Sequence, residues 1–173
     1  MGSDLEQEYV EYVRARLARL HRMAYLLCGD ASRADDIVQS ALTTLYVRWR
    51  HIRGANSIDA YVHTMVVRTF LGEKRRAWDR VRLVPATPDK AESSMEPGVL
   101  ERIHVQAALR RLSPRQQAVL VLRYMLDMSV ADVAKVLGCA EGTVKSQTAN
   151  GLVALRKVLA RDNALPLRHG STT

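Results

Sequence analysis

The sequence predicts an all-α protein of two small helical domains joined by a flexible linker, with a helix-turn-helix in the C-terminal domain. Apolar residues recur at helical spacing through most of the chain, and no segment alternates between apolar and polar residues as a strand does. The pattern stops at residues 83–98, where three prolines stand among acidic residues, so this stretch is predicted to be the linker. We therefore expect domains at residues 1–82 and 99–163, followed by a tail at residues 164–173.

The composition favours a nucleic-acid partner, because the formal net charge is +8 and the pI is close to 9.9. No apolar run approaches the roughly 20 residues that a membrane span needs. Residues 1–4 do not begin a signal peptide, so we expect a cytoplasmic protein without membrane insertion. Cys28 and Cys139 are far apart and fall in no metal-binding or CxxC pattern, which predicts two small buried side chains, no metal and no cofactor.

The N-terminal domain is predicted to begin with a helix over about Leu5–Leu27, which Gly29 ends. A capping box from Ser32 to Asp35 predicts a second helix that continues to about Arg50. The apolar residues of this helix share one face and leave an acidic-polar strip on the surface, formed by Asp35, Asp36, Gln39 and Thr43. Acidic residues also stabilise a helix N-terminus, so the strip is either an interaction surface or good capping.

The third helix follows a loop at residues 51–57, and Asn56 or Ser57 is predicted to cap it. Beyond its apolar face the helix continues into a basic run at residues 73–82, which includes Trp78. Clustered Lys and Arg beside an aromatic residue are typical of a surface that follows phosphates and stacks on a base. A basic helix end beside a linker is also often only solubilising, so both interpretations stay open on this pattern alone.

The C-terminal domain is predicted to begin with a helix over about Val99–Leu112, which leads into the helix-turn-helix. Ser113 and Ser129 are placed to cap the first two helices of this motif, and Gly138 is placed to end the second. Thr143 is predicted to begin the last helix, whose apolar residues leave an outer face of Lys145, Ser146, Gln147 and Asn150. In a helix-turn-helix this last helix enters the major groove of DNA.

Together these motifs resemble the sigma-70 family of bacterial RNA polymerase sigma factors, in its extracytoplasmic function (ECF) group and the actinobacterial SigE-like subfamily. The segment Asp35–Gln39 followed by Trp49 is similar to region 2.2 of the family. Ala60–Thr69 with the basic run after it resembles regions 2.3 and 2.4, and Leu112–Gln116 with Glu141–Ser146 resembles region 4. The similarity covers nearly the whole chain in the right order, linker included.

The resemblance implies a protein without enzymatic activity that carries three binding sites. The acidic-polar strip is expected to bind core RNA polymerase at the β′ clamp helices, and the polymerase β flap is a further expected contact. The −10 promoter element is expected to be opened and read by Arg53, Asn56, His63, Arg68, Lys74, Arg75 and Arg76. The −35 element is expected to be read by Thr143, Lys145, Ser146, Gln147 and Asn150. The implied partners are core polymerase, promoter DNA and an anti-sigma factor.

Four positions depart from the family's usual pattern. An Asn is usual where Arg68 stands, an Arg is common at Gln147, a capping Ser is frequent at Ala140, and a Leu usually packs inward at Thr148. We expect the architecture to survive these changes. The base preference of relatives does not carry over to this chain.

A LuxR-type transcriptional regulator is the main alternative, because its helix-turn-helix carries a similar Leu-Ser/Thr-Pro-Arg start and a similar Glu-Gly-Thr-Val-Lys segment. The N-terminal half discriminates, since a response regulator would alternate strands and helices around a phosphoacceptor Asp, whereas this half shows only helical patterns. An enzyme is disfavoured, because the five histidines fall in no HExxH or paired-ligand spacing and the chain has no Gly-rich phosphate loop.

Overall fold

The computed structural model of the chain describes residues 2–81 and 98–164, except for the side chains of residues 74–81, 99–100 and 164. This part of the chain contains α-helices and a π-helical turn but no strand, which confirms the all-α class. The linker predicted at residues 83–98 and the tail predicted at residues 164–173 lie almost entirely outside the described residues. The helices are α1 (Ser3–Cys28), α2 (Ala31–Ile52), α3 (Ile58–Val81), α4 (Val99–Leu109), α5 (Pro114–Leu120), α6 (Val130–Leu137) and α7 (Glu141–Ala164).

Helices α1 to α3 form an N-terminal unit around an apolar core. The apolar face predicted for α2 is confirmed, because its side chains at Ile37, Val38, Ala41, Leu45 and Trp49 are all buried. Two aromatic rings of α1 contact the Trp49 ring, that of Tyr9 at a centroid distance of 5.4 Å and that of Tyr12 at 5.3 Å. Aromatic pairs prefer particular ring orientations in addition to burying apolar area, so these contacts hold α2 in a defined position against α1.

The start of α2 differs from the prediction. Asp30 is its N-cap, in an extended conformation, and the Asp30 carboxylate accepts a hydrogen bond from the backbone N–H of Arg33 at 2.7 Å. Ser32 therefore lies inside the helix, and the capping box predicted from Ser32 is wrong. At the other end α2 continues to Ile52, so the predicted loop at residues 51–57 is shortened to residues 53–57.

Helices α4 to α7 form a C-terminal unit that contains the predicted helix-turn-helix. The two predicted serine caps are confirmed, since Ser113 accepts from the N–H of Gln116 and Ser129 accepts from the N–H of Asp132. Gly138 ends α6 with a φ of 63°, a left-handed conformation that glycine adopts without strain. A π-helical turn at Val121–Met125 extends α5, and the sequence did not indicate it.

The last helix begins earlier than predicted. The carbonyl oxygen of Ala140 accepts from the backbone N–H groups of Thr143 and Val144, so α7 starts at Glu141 and the predicted start at Thr143 is wrong. Ala140 is the residue that precedes the helix, and it has no side-chain acceptor for the free N–H groups of the first turn. The departure at Ala140 that the sequence showed is therefore a missing cap at the start of this helix.

The two units are in contact, and their buried residues form a single hydrophobic cluster. Helix α3 packs against α6, and the end of α1 contacts the π-helical turn. Gln117 of α5 is fully buried, and its Nε2 donates to the carbonyl oxygen of Leu27 at 2.5 Å. Within the described ranges no helix is long and apolar enough to cross a lipid bilayer.

Candidate polymerase and nucleic-acid interfaces

The acidic-polar strip lies on the outer face of α2, as predicted. All four side chains, those of Asp35, Asp36, Gln39 and Thr43, are exposed. Asp35 lies 3.0 Å from Nδ1 of His21, and the hydroxyl of Thr43 donates to the carbonyl oxygen of Gln39 at 2.8 Å. The strip is therefore carried by a regular helix whose opposite face is locked into the core, which suits a rigid docking surface.

A groove between α1 and α2 lies beside the strip, and the sequence did not predict it. Its volume is about 470 Å³, and Gln39 and Thr43 form part of its wall. Apolar side chains complete the wall, among them Leu17 and Tyr46, which stay partly exposed. Val47, the neighbour of Tyr46, is 76% exposed, but it does not line the groove, and a single exposed apolar residue is common on protein surfaces.

The loop between α2 and α3 presents Arg53 and Asn56 at the surface, as predicted. The guanidinium of Arg53 forms an ion pair with Glu8 of α1, at 2.6 Å between Nη1 and Oε2. Asn56 is exposed, and Ser57 caps α3 by accepting from the N–H of Ala60 at 3.1 Å. Of the two predicted caps the structure thus selects Ser57, which leaves the amide of Asn56 available to a ligand.

A polar seam joins α1 to α3 and is centred on Asp59. The Asp59 carboxylate accepts hydrogen bonds from the Tyr12 hydroxyl at 2.7 Å and from Arg16 Nε at 2.6 Å. Partial burial opposes its ionisation, but the hydrogen bonds from Arg16 and Tyr12 and the charges of Arg16 and His63 hold the pKa of Asp59 below its ordinary value. Burial of the imidazole and the positive charge of Arg19 lower the pKa of His63. The negative charge of Asp59 raises this pKa, but by less, so the pKa lies below its ordinary value. The lowered pKa favours the neutral form of the His63 ring, which carries one hydrogen-bond donor and one acceptor.

The remaining residues predicted for the −10 element lie further along α3. Arg68 is exposed, and its guanidinium lies close to Gly138 at the end of α6. Lys74, Arg75 and Arg76 follow on the same helix, and their side chains lie outside the described residues. The structure thus brings Arg53 and Asn56 together at the start of α3, with His63 and Arg68 placed successively later along it.

The outer face predicted for the last helix is largely confirmed. Thr143, Lys145, Ser146 and Asn150 are exposed, whereas Gln147 is half-buried. The Ser146 hydroxyl contacts the carbonyl oxygens of Gly142 and Thr143 at 3.0 and 3.2 Å, so its hydrogen is used within the helix. Ser146 can consequently accept a hydrogen bond from DNA but is a poor donor to it.

Two glycines in α7 allow a direct test of how this helix is packed. At Gly142 no described atom lies within 4 Å of the position that a Cβ would take, whereas at Gly151 that position is 3.3 Å from Leu120. Gly142→Ala is therefore expected to raise the free energy of unfolding by roughly 0.5–1 kcal/mol, because alanine loses less backbone entropy in a helix. The measurement is urea unfolding of the full chain.

The matched control is the same substitution at Gly151, where Leu120 must move to admit the new methyl group. We expect Gly151→Ala to stabilise less than Gly142→Ala or to destabilise the fold. Equal stabilisation by the two variants would show that α7 does not pack closely against Leu120 at this point.

Two family models match segments of this chain, one in each helical unit. The family models for Sigma-70 region 2 and for Sigma-70, region 4 match residues 12–80 and 103–155. The RNA polymerase sigma-E factor of Streptomyces coelicolor is 37% identical to this chain, over 94% of this chain and 91% of the relative. The ECF RNA polymerase sigma factor SigL of Mycobacterium tuberculosis is 35% identical, over 82% of this chain and 83% of the relative.

Among solved structures, the fold is similar to that of the sigma factor RpoE from Bartonella quintana, solved with the anti-sigma factor NepR. The TM-score is 0.73 at 23% identity, covering 90% of this chain and 99% of that one. The region 2 match over the N-terminal helices also excludes the LuxR-type alternative, whose N-terminal half would carry a different fold. The chain therefore belongs to the ECF group of the sigma-70 family of RNA polymerase sigma factors.

Proposed function

We propose that this sigma factor divides its work among the three surfaces described above. The acidic-polar strip of α2 binds the β′ clamp helices of core polymerase. The α2–α3 loop and the cations of α3 bind the opened −10 strand. The outer face of α7 reads the −35 element, and the C-terminal unit also contacts the polymerase β flap. One observation supports this proposal. An acidic-polar face of α2, a basic part of α3 and a polar face of α7 are exposed, while the other faces of these helices are buried.

The two helical units are proposed to act as domains with the boundaries predicted from the sequence, at residues 1–82 and 99–163. The protein acts in the cytoplasm, where polymerase and chromosome meet, and it performs no catalytic step of its own. Opening of DNA draws instead on the binding energy of the extruded bases and of the freed backbone.

We also propose that an anti-sigma factor restrains this protein. The Bartonella sigma factor of similar fold is bound to such a factor in its crystal, which supports a comparable partner here. The groove between α1 and α2 gives that partner a surface, since it combines apolar walls with the polar strip that polymerase needs. A helix in this groove would compete directly with the clamp helices.

Charge reversal on the acidic-polar strip tests the core-binding proposal. Asp36→Arg is expected to weaken binding to core polymerase by about tenfold or more, because it removes a carboxylate of the proposed interface and reverses the charge at that position. An exposed substitution rarely changes stability by more than ~0.5 kcal/mol, so the variant stays folded. The measurement is the affinity of fluorescently labelled sigma factor for purified core enzyme.

Glu11→Arg is the matched control, since Glu11 is also exposed and the substitution makes the same change of charge on α1. It is expected to leave the affinity within about twofold of wild type. If Asp36→Arg binds core polymerase as tightly as Glu11→Arg does, the strip is only a well-capped solvated surface and the proposal fails.

A further inference from the structure

Helix α1 contacts both ends of the α2–α3 loop through one of its faces. Glu8, Tyr12 and Arg16 follow one another at intervals of four residues, so their side chains share that face. Glu8 forms its ion pair with Arg53, where the loop begins. The other two bind Asp59 in the first turn of α3, just after the loop ends. The Glu8 pair has to open before Arg53 can contact DNA, so the lasting contact is the one with Asp59.

Tyr12 joins the helices on either side of the loop. Its ring contacts the Trp49 ring in the last turn of α2 at a centroid distance of 5.3 Å, and its hydroxyl donates to Asp59 of α3 at 2.7 Å. Burial and the hydrogen bond to Asp59 raise the pKa of the Tyr12 hydroxyl, so it stays protonated and remains a donor at neutral pH. One side chain therefore relates the end of α2 to the beginning of α3, and the loop spans the gap between them.

Arg16 completes this cluster. Its guanidinium carbon lies 4.8 Å from the centre of the Tyr12 ring, and its Nε donates to Asp59 at 2.6 Å. Both donors meet the same carboxylate oxygen, Oδ1, and hydrogen bonds to an ionised acceptor are about twice as strong as those between neutral groups. The first turn of α3, which follows the loop directly, is thereby anchored to α1.

We propose that Tyr12 and Arg16 are positioning residues for strand opening, which act through Asp59 to hold the α2–α3 loop in its base-binding conformation. The loop then presents Arg53 and Asn56 to an extruded base without first having to become ordered. This inference rests on the proposed function of the loop and adds two residues of α1 to it. In this role neither of the two contacts DNA.

Positioning of this kind affects the opening of paired DNA more than the binding of DNA that is already open. A base that leaves the duplex must unpair and unstack, and contacts in a pocket offset that cost. A loop that has to be ordered first loses part of its binding free energy to the ordering. On a promoter that is mismatched in advance no unpairing has to be offset, so the same loss has a smaller effect.

Tyr12→Phe is the main test, because it removes only the hydroxyl that binds Asp59 and keeps the ring against Trp49. We expect about fivefold less transcription from a paired promoter and no more than about twofold less from the same promoter mismatched in its −10 region. The fluorescence of 2-aminopurine, substituted for an adenine of the paired −10 element, should rise less with this holoenzyme than with wild type, because fewer bases are extruded.

Tyr9→Phe is the matched control. The Tyr9 ring also contacts Trp49, and its hydroxyl also donates to another helix, at the carbonyl oxygen of Leu42. The control therefore removes one hydroxyl from α1, as Tyr12→Phe does, but leaves the contact with Asp59 in place. Its ratio of transcription from the paired and mismatched promoters should equal that of wild type. A cluster that only stabilised the fold would give the same ratio for both variants, which would overturn the proposal.

A combined variant shows whether Tyr12 acts through the loop. Tyr12→Phe added to Arg53→Ala/Asn56→Ala should lower transcription from the paired promoter no further, because the loop then lacks the side chains that are to be positioned. If the two losses multiply instead, Tyr12 acts independently of the loop and the proposal fails.

Amide hydrogen exchange in the free chain tests the positioning without DNA. The N–H of Ala55, in the middle of the loop, donates to the carbonyl oxygen of Ile52 at 2.8 Å. It should exchange about threefold or more faster in Tyr12→Phe than in Tyr9→Phe, and equal rates would overturn the proposal.

The same experiments separate this proposal from the proposed function of the loop. Equal losses of Arg53→Ala/Asn56→Ala on the two promoters would refute a role of the loop in melting, whereas faster exchange at Ala55 in Tyr12→Phe would still show that the cluster positions the loop. A selective loss in the loop variant without one in Tyr12→Phe would refute the positioning role alone.

Discussion

The double variant Arg53→Ala/Asn56→Ala is expected to lose about tenfold or more of transcription from a fully paired promoter. On the same promoter with its −10 region mismatched in advance, the loss should be no more than about twofold. Base pairs can be read on their inner edges only after unstacking, which costs a few kcal/mol, and a pocket for the extruded base offsets that cost. The loop at residues 53–57 offers a guanidinium and an amide for such a pocket.

The ion pair between Arg53 and Glu8 sharpens this test. Both side chains are nearly half exposed, so the pair contributes little to stability and the guanidinium can exchange Glu8 for DNA. Glu8→Gln serves as the control, because it removes the competing charge and keeps Arg53. It should transcribe from the paired promoter at least as well as wild type. Equal losses of the double variant on paired and premelted templates would show that the loop has no role specific to melting.

The parts of this structure that the sequence predicted are those set by neighbouring residues. A helix cap depends on three or four adjacent residues, and so Ser113, Ser129 and Gly138 were assigned correctly. The exposure of the acidic-polar strip follows from the helical period alone, once the apolar face of α2 is recognised. The cap of α2 was misassigned because Asp30 and Ser32 are both good N-cap residues two positions apart, and local pattern does not choose between them.

The contact between the two units could not be predicted in this way. Gln106 and Gln117 meet carbonyl groups that lie 80 and 90 residues earlier in the chain, and a glutamine in an amphipathic helix gives no sign of such a partner. The groove beside the strip was missed for a related reason, since it exists only where α1 and α2 lie side by side. Tertiary contacts of this kind depend on packing between distant segments, which residue spacing does not encode.

Gln147→Ala and Lys145→Ala are expected to impair binding to the −35 element in different ways. The Gln147 side chain is half-buried, so it loses less conformational entropy on binding than the exposed Lys145 side chain does. Its amide can also form two hydrogen bonds with the edge of an adenine, which suits Gln147 to base recognition. Gln147→Ala should relax preference at one or two base pairs by roughly 1–3 kcal/mol each. Lys145→Ala should weaken binding to all sequences alike and reduce the salt dependence of log K by about one unit, as loss of a phosphate contact does.

Selection of −35 sequences from a randomised library with each holoenzyme measures the first effect, and duplex binding over a series of salt concentrations measures the second. Val153→Ala is the matched control, because Val153 is an exposed residue further along α7 whose truncation should change neither result. Sequence preferences that are identical for wild type and Gln147→Ala would remove Gln147 from the reading set. A salt slope unchanged in Lys145→Ala would mean that Lys145 contacts no phosphate.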